Sequence, residues 1–428
     1  MPDLSVVRER AVLFGAILPT DAPSYEKPLE ELARLADTAG AQVTRGLVQK
    51  RNRIHPTTYV GRGMVDRLGE VAEQVRADIL IADNDLSPAQ AWNIERRARR
   101  RVVDRSELIL DIFAAHARTR TSKVAVELAQ LEYALPRLKR LWPHLEQQKG
   151  GIGLRGPGES QIESDRRLVK KRITELRRVL FEIQERKARE VAKRQGEFTV
   201  SLVGYTNAGK STLMNALAER TAKASFREQR VEDKLFSTLD TKTVMVEVRR
   251  NRKILLSDTV GFIQKIPHHL IASFHATLEE VTRADLLVHV VDVTHPDPKA
   301  QIEAVNTVLK ELGALGKPTI MALNKIDALK DHVELGYLVR LYPRSVAISA
   351  LTRQGLDELR ENIALEMSRL LEETTLRFPL ANGKAIAFIR DRAEVLEEQF
   401  VGDEAVYRIR MKPKDLGALR GMLDPPRA

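Results

Sequence analysis

The segment Gly204-Tyr205-Thr206-Asn207-Ala208-Gly209-Lys210-Ser211 decides the fold of this chain. It fits the phosphate-binding pattern of a glycine, four residues and then Gly-Lys-Ser. An apolar run over 198–203 predicts a buried strand before it, and 211–217 predicts the start of a helix after it, as the pattern requires. Glycines allow successive backbone N–H groups to point at phosphate oxygens, and the helix N-terminus adds partial positive charge. We therefore expect Lys210 to reach the β- and γ-phosphates and the Ser211 hydroxyl to bind Mg²⁺.

Composition limits the class of protein. The chain has 428 residues, enough for about two to four domains, and 43% of them are hydrophobic. No apolar run of about 18 residues and no secretory signal pattern is present, so we expect no membrane span. The absence of cysteine excludes disulfides and thiolate metal sites and fits a cytoplasmic location, with attachment to a membrane surface left open. The net charge of +11 favours a polyanionic partner such as nucleic acid; a merely soluble basic surface is the alternative.

Residues 1–118 predict a small α/β domain. Short apolar runs at 11–18, 43–48, 78–82 and 102–103 alternate with helical patterns, and this alternation is typical of a parallel sheet. Ser87 followed by Pro88 predicts the start of one of these helices. A basic cluster, which is either a solvated face or a contact for RNA phosphates, comprises Arg96, Arg97, Arg99, Arg100 and Arg101.

Residues 119–196 predict a helical hairpin. Apolar seams at 124–142 and 169–183 are typical of coiled-coil partners, and Pro136 should interrupt the first helix. A glycine-rich loop joins the seams, and Ser160 with Glu163 forms a capping box that should begin the return helix. Since long loops are usually functional, we interpret the loop as a tip that contacts RNA; an intramolecular spacer is the alternative. The candidate RNA contacts are Lys149, Gly151, Arg155, Gly156, Arg166, Arg167, Lys170 and Lys171.

Further motifs follow the phosphate loop in the order of a guanine-nucleotide switch within 197–371. Asp258 ends a predicted strand and can hold Mg²⁺ through water, and Thr238 is the candidate second direct ligand. The Asp327 carboxylate can accept hydrogen bonds from guanine N1–H and the exocyclic amine, two donors that adenine does not present together. The candidate nucleotide-binding residues beyond the phosphate loop are Thr212, Phe236, Ser237, Thr238, Leu239, Asp240, Asp258, Thr259, Val260, Gly261, Asn324, Lys325, Ile326, Asp327, Ser349, Ala350 and Leu351.

The catalytic candidates are Lys210, Thr238 and Gly261, whose N–H can bond the γ-phosphate. Phe262 stands where a glutamine often orients the attacking water. Phenylalanine cannot hydrogen-bond water, so we expect slow intrinsic hydrolysis and a partner that completes the site. The amide oxygen of Asn207 lies within the phosphate loop and could help to bind K⁺; a structural role is the alternative.

Residues 372–428 predict a small α/β domain without visible chemistry. We expect 376–379 to be a linker, 385–389 a strand, 392–399 a helix, 405–411 a strand and 415–422 a helix.

The chain resembles the HflX family of the Obg–HflX group of GTPases over nearly its whole length. The resemblance rests on residues 104–113, on the run from Gly150 to Glu159, and on 236–240 and 258–263 within the core. Two positions depart from the family: Thr241 stands in place of a proline, and Thr121-Ser122-Lys123 in place of Glu-Gly-Lys.

The resemblance implies four domains, at 1–118, 119–196, 197–371 and 372–428, and a molecular switch that hydrolyses GTP with Mg²⁺. It also implies GTP-dependent binding, as a monomer, to the large ribosomal subunit and its rRNA, and also to whole ribosomes. Separation of stalled or idle ribosomes into subunits under stress would follow. The alternatives are a GTPase that assists large-subunit assembly, an RNA-remodelling ATPase acting through the N-terminal half, and a scaffold that uses GTP only for stability.

Overall fold

In a computed structural model, the chain is described at residues 8–19, 29–141, 157–192, 198–219, 242–249, 252–259, 261–263, 278–329 and 333–423. For 139–141, 157–162, 187–192 and 414 only the backbone is described. The strands form three separate sheets, of four, six and three strands.

The first sheet is parallel throughout, with the strand order β2-β1-β3-β4. Its elements are β1 (Arg10–Ile17), α1 (Glu30–Thr38), β2 (Gln42–Lys50), α2 (Arg62–Gln74), β3 (Ile79–Ala82), α3 (Pro88–Ala98), β4 (Arg101–Val103) and α4 (Arg105–His116). Ser87 caps α3 and forms a reciprocal capping box with Gln90. The prediction of a small parallel α/β unit is therefore confirmed.

The hairpin consists of α5 (Arg120–Ala134), a 3₁₀ segment (Leu135–Leu141) and α6 (Pro157–Ala192). The α-helix ends just before Pro136, which cannot donate the backbone hydrogen bond that α-helix geometry requires. The seam of α6 buries Ile173, Leu176 and Leu180. The expectation that Ser160 begins the return helix is wrong: α6 begins at Pro157, and proline is favoured at a first helical position because its missing N–H would be unpaired there anyway.

The second sheet has the order β10-β9-β8-β5-β7-β6, and only the β6–β7 pair is antiparallel. Its elements are β5 (Phe198–Gly204), α7 (Lys210–Ala218), β6 (Lys242–Arg249), β7 (Arg252–Asp258), β8 (Leu286–Asp292), α8 (Pro298–Glu311), β9 (Thr319–Asn324), α9 (Val333–Leu341), β10 (Ser345–Ala347) and α10 (Leu356–Leu370). This is the doubly wound, mostly parallel arrangement that the phosphate loop predicted, and it brings the carboxyl ends of β5, β7, β8 and β9 to one edge.

The third sheet corrects the expected C-terminal secondary structure. Its elements are β11 (Glu372–Pro379), α11 (Gly383–Arg392), β12 (Glu394–Val401), β13 (Glu404–Met411) and α12 (Pro413–Leu423), and its strand order is β11-β13-β12. The expected linker is part of β11, because those residues pair with β13. The expected strand is α11, capped by the Asn382 side chain, and it buries Ala385 and Ile389, which lie one helical turn apart. The expected helix is mostly β12, joined to β13 by a tight turn at Gly402.

One hydrophobic core runs through the first sheet, the hairpin and the second sheet, and includes Leu13, Leu176 and Leu202. The third sheet has a core of its own around Tyr407. Two ion pairs connect the third sheet's unit to the second sheet's unit: Lys412 to Asp285 at 2.7 Å, and Arg252 to Glu394 at 3.3 Å. Among the helices that the structure describes, none is both long and apolar enough to cross a membrane.

Candidate nucleotide site

Two glycines of the phosphate loop lie where a side chain could not. Gly204 has φ +152° and a Cβ added there would lie 2.3 Å from the Val290 carbonyl oxygen. Gly209 has φ +95° and its Cβ would lie 2.3 Å from Asn324 Nδ2. Both positions need glycine, because L-residues rarely adopt such φ values and the neighbouring atoms leave no space.

Lys210 is the first residue of α7 and is only 7% exposed. Its ammonium group donates to the carbonyl oxygens of Gly204 at 3.1 Å and Tyr205 at 2.8 Å. Burial lowers the pKa of Lys210 to about 8, and the carboxylate of Asp258 only partly offsets this effect. A buried ammonium with two neutral acceptors is well prepared to exchange them for phosphate oxygens.

Ser211 and Asp258 form the corner of the site that could hold a metal. The Ser211 hydroxyl donates to Asp258 Oδ2 at 2.7 Å, and Asp258 is fully buried at the end of β7. The Thr259 hydroxyl donates to the Leu202 carbonyl oxygen and anchors the next residue. Hydroxyl and carboxylate oxygens are the donors that Mg²⁺ prefers. Over the described ranges no three His, Asp or Glu side chains cluster as a metal site, so a Mg²⁺ ion here would also need phosphate and water ligands.

The segment 261–263 packs directly on the phosphate loop. The Thr206 N–H donates to the Phe262 carbonyl oxygen at 2.7 Å, and the Phe262 N–H donates to the Gly204 carbonyl oxygen at 3.2 Å. A Cβ at Gly261 would lie 2.8 Å from Thr206 Cα and 3.0 Å from Lys210 Nζ. Phe262 is 2% exposed, so its ring is part of the core.

Asn324 joins the phosphate loop to the base-recognition segments. Its Nδ2 donates to the Ala208 carbonyl oxygen at 2.8 Å, and its Oδ1 accepts from the Ala350 N–H at 2.9 Å. Ser349 is fully buried and its N–H donates to the Gln354 carbonyl oxygen. The Asn324 side chain therefore holds three chain segments in register.

The base-recognition residues after Asn324 are more open. Lys325 has a left-handed φ of 70°, and its ammonium group lies 2.6 Å from Asp292 Oδ2. Asp327 is exposed in a 3₁₀ turn (Ile326–Ala328), and Leu351 is 76% exposed. An exposed carboxylate beside a rigid Asn324 can accept donors from an incoming base.

The structure brings together the phosphate loop, Asp258, Thr259, Gly261, 324–327 and 349–351 along one edge of the second sheet. Thr212 lies half-buried in the first turn of α7. Predictions for Phe236, Ser237, Thr238, Leu239, Asp240 and Val260 lie outside the described residues, as do those for Lys149, Gly151, Arg155 and Gly156.

The basic candidates of the hairpin lie on a separate element. Arg166, Arg167, Lys170 and Lys171 are exposed on α6. The basic cluster at 96–101, which spans the end of α3 and the start of β4, is partly neutralised, because Arg97 pairs with Asp66 and Arg101 pairs with Glu107.

Sequence reasoning missed two features of the site. Asp292 is the last residue of β8 and pairs with Lys325. Its position at the end of a buried strand could have indicated from the sequence that it belongs to the site. Glu31 of α1 accepts a hydrogen bond from the Tyr205 hydroxyl at 2.7 Å. An acidic residue in the first turn of a helix is ordinary, so no local pattern could have indicated this contact.

Comparisons with known proteins identify a family to which the chain is similar. Three families match consecutive parts of the chain: "GTP-binding GTPase N-terminal" at 26–114, "GTP-binding GTPase Middle Region" at 116–194 and "50S ribosome-binding GTPase" at 199–325. GTPase HflX of Magnetococcus marinus is 40% identical over 97% of this chain and 95% of its own length. GTPase HflX of Escherichia coli is 41% identical over 88% of this chain and 87% of its own.

A crystal structure of a GTP-binding protein from the hyperthermophilic archaeon Sulfolobus solfataricus in complex with GDP is 27% identical, covering 85% of this chain and 99% of that one with a TM-score of 0.44. The relatives that match nearly end to end at about 40% identity confirm the resemblance of the sequence. The chain belongs to the HflX family of GTPases.

Proposed function

We propose that this GTPase, in its GTP form, binds the large ribosomal subunit through rRNA and separates ribosomal subunits or keeps them apart, acting in the cytoplasm on stalled or idle ribosomes under stress. The observation that carries the proposal is the single hydrophobic core that joins the phosphate-loop strand to the basic hairpin. A change at the nucleotide can therefore be transmitted to α6 through packed side chains. The match to a family described as "50S ribosome-binding GTPase" favours the ribosome as the polyanionic partner.

The charges of α6 fall into two groups. Arg172 and Arg177 each form an ion pair of 2.8 Å with a glutamate of α5, Glu127 and Glu132 respectively, and so fasten the hairpin. Four other basic residues of α6 form no ion pair among the residues that the structure describes. We call them the unpaired group: Arg166, Arg167, Lys170 and Lys171. This group is available to phosphates, and its contribution to RNA affinity should fall steeply with salt.

At the nucleotide, Lys210 would bind the β- and γ-phosphates and Asp327 would select guanine. Ser211 would hold Mg²⁺ directly and Asp258 through water, with Thr238 as the second protein ligand. The ion would neutralise charge that develops on the phosphates. The amide oxygen of Asn207, an exposed residue with a left-handed φ of 61°, would help to bind K⁺.

Phe262 is the reason to expect a stimulating partner. Its buried ring cannot orient a water molecule, so the chain offers no polar side chain at that position. A partner that supplies the missing group can raise the rate by roughly 10³–10⁵. The large ribosomal subunit, once bound, would be that partner, and hydrolysis would then release the GTPase from it.

The test is GTP turnover with and without isolated large subunits at fixed salt, followed by subunit separation measured by sedimentation. We expect strong stimulation that vanishes in Lys210→Ala. Replacing the unpaired group by glutamine should weaken binding and lower its salt dependence. The control is Arg172→Gln with Arg177→Gln, which removes two charges from the same helix where both are already paired, and the losses are compared per charge removed.

Three results would count against the proposal. Turnover that the subunit does not change would remove the ribosome as the completing partner. Equal loss of binding in the control would mean that helix charge in general, rather than the unpaired group, attracts RNA. Stimulation by immature subunits but no separation of whole ribosomes would favour assistance in assembly.

A further inference from the structure

A chain of polar contacts leads from the phosphate loop into the N-terminal sheet. The Tyr205 hydroxyl donates to Glu31 Oε1 at 2.7 Å. The other carboxylate oxygen of Glu31 lies 3.0 Å from the Arg105 guanidinium, which also lies 3.0 Å from Asp83. Tyr205 follows β5, Glu31 is in the first turn of α1, Arg105 begins α4 and Asp83 follows β3. Two sheets that are far apart in the sequence thus meet at the second residue of the phosphate loop.

Most of these polar contacts are shielded from water, although the Glu31 side chain is 26% exposed. Tyr205 is 7% exposed, and the side chains of Arg105 and Asp83 are 2% and 4% exposed. Burial alone would lower the pKa of Arg105, but the carboxylates of Glu31 and Asp83 more than compensate and raise it. Arg105 is therefore a buried cation that orients the Glu31 carboxylate through their ion pair, and a hydrogen bond to a charged group is stronger than one between neutral groups.

The backbone around Tyr205 holds the segment 261–263 against the phosphate loop. The residues on either side of it, Gly204 and Thr206, exchange hydrogen bonds with Phe262, and the Tyr205 carbonyl oxygen accepts from Lys210. Tyr205 therefore contacts the N-terminal sheet with its side chain, while its backbone takes part in the packing of the segment 261–263 on the phosphate loop. We call this packing the closed contact.

A γ-phosphate competes with that closed contact. It would accept hydrogen bonds from Lys210 and from the Gly261 N–H, yet Gly261 is packed so closely that a Cβ added there would lie 3.0 Å from Lys210 Nζ. Lys210 would leave the Tyr205 carbonyl oxygen for the β-phosphate of either nucleotide, so the difference between GTP and GDP arises at Gly261. GTP therefore requires the contact to open more than GDP does, because GDP lacks the third phosphate.

We propose that Glu31, held by Arg105, is a positioning residue of the nucleotide site, which acts through the Tyr205 hydroxyl to favour the closed contact and so disfavours GTP relative to GDP. Binding of GTP in turn weakens the Tyr205–Glu31 bond, since coupling between two sites is reciprocal. The N-terminal sheet would then report on, and respond to, the nucleotide. This rests only on the nucleotide site and not on the ribosomal partner, so the two proposals fail separately.

The test uses the full chain with Tyr205→Phe, which keeps the buried ring and removes only the hydroxyl. Dissociation constants for GDP and for a non-hydrolysable GTP analogue are measured by competition with a fluorescent GDP. We expect the preference for the GTP analogue over GDP to rise by about tenfold, the low end of the effect of losing one hydrogen bond to a charged group.

The matched control is Tyr133→Phe. Tyr133 is also buried and its hydroxyl also donates to a glutamate, Glu107, at 3.3 Å, but this pair lies away from the phosphate loop. The Tyr133→Phe variant should show the same preference between the two nucleotides as the unaltered protein. If Tyr205→Phe leaves the preference unchanged or lowers it, the contact only joins two domains and the proposal is overturned.

Glu31→Gln provides a second, independent measurement should Tyr205→Phe fail to fold. It removes the charge that holds the tyrosine, and it should raise the same preference. In the double variant, the rise in this preference should be smaller than the product of the rises in the two single variants, because both substitutions remove the same contact. Fully multiplicative effects would mean that Glu31 acts by another route and would refute the assigned path.

Discussion

Replacing Gly209 by alanine would place a methyl group where the Asn324 side chain lies. The added Cβ would be 2.3 Å from Nδ2, and the backbone φ of +95° disfavours any L-residue. Asn324 is 2% exposed and bonded at both ends of its amide, so it cannot swing into open space. The substitution must therefore displace Asn324, the phosphate loop, or both.

The magnitude follows from these contacts. A left-handed backbone costs an alanine about 1–2 kcal/mol. The two Asn324 hydrogen bonds contribute about 0.5–1.5 kcal/mol each, and both leave buried backbone groups unpaired when broken. We expect a total of about 3 kcal/mol against the conformation that binds nucleotide, or an approximately 100-fold weaker affinity for GTP and GDP alike.

Affinity is measured by titration of a fluorescent nucleotide, with thermal unfolding as a second readout. Gly336→Ala is the control, because a Cβ added at Gly336 in α9 would meet nothing within 4 Å and the backbone φ there is not left-handed. In an Asn324→Ala background the clash disappears, so Gly209→Ala should then cost much less. Wild-type affinity in the single variant, or equal costs in both backgrounds, would refute the steric reasoning.

Three further predictions concern charge and packing. Since burial lowers the pKa of Lys210 from 10.5 to about 8, the unfolded chain binds more protons than the folded one between these values, and stability rises with pH there. Lys210→Met should therefore raise the melting temperature of the nucleotide-free protein at pH 7, by an amount that shrinks towards pH 10, while it abolishes GTP turnover; a gain that does not depend on pH would contradict this. Asp327→Asn should weaken GTP binding by about 100-fold and improve binding of xanthosine triphosphate, whose second exocyclic oxygen accepts from an amide; competition titrations decide, and unchanged selectivity would remove Asp327 from base recognition. In the hairpin, Leu176→Ala should destabilise by about 3 kcal/mol because the side chain is 2% exposed, whereas Arg177→Gln, at an exposed ion pair, should cost less than about 1 kcal/mol in denaturant unfolding; the reverse order would mean that charge, rather than the seam, holds the hairpin.

The nucleotide fold was readable because its signals are local. The phosphate loop needs glycine where φ is positive and lysine and serine at the next helix start, and these requirements lie within eight consecutive residues. Its parallel strands are buried on both faces, so each reads as a short apolar run. The N-terminal α/β unit and the seams of the hairpin were readable for the same reason.

The C-terminal unit was misread where pairing overrides local pattern. Residues 385–389 are all apolar and suit a strand or a helix equally, and the Asn382 cap decides for α11. β12 is rich in glutamate, a helix former, yet it pairs with β13, where Arg408 contacts Glu397 and Tyr407 contacts Glu398. A strand stabilised by its neighbour carries little signal of its own.

The sequence by itself determined the class of fold, the order of the nucleotide motifs and the family, because glycine spacing and hydrophobic period act over a few residues. Only the tertiary structure decided that Glu31 lies against Tyr205, 174 positions away, and that Phe262 closes on the phosphate loop. An ordinary helix-start glutamate and an ordinary tyrosine become a contact only when two sheets pack on one core. That packing depends on the shapes of whole faces, which no short stretch of sequence contains.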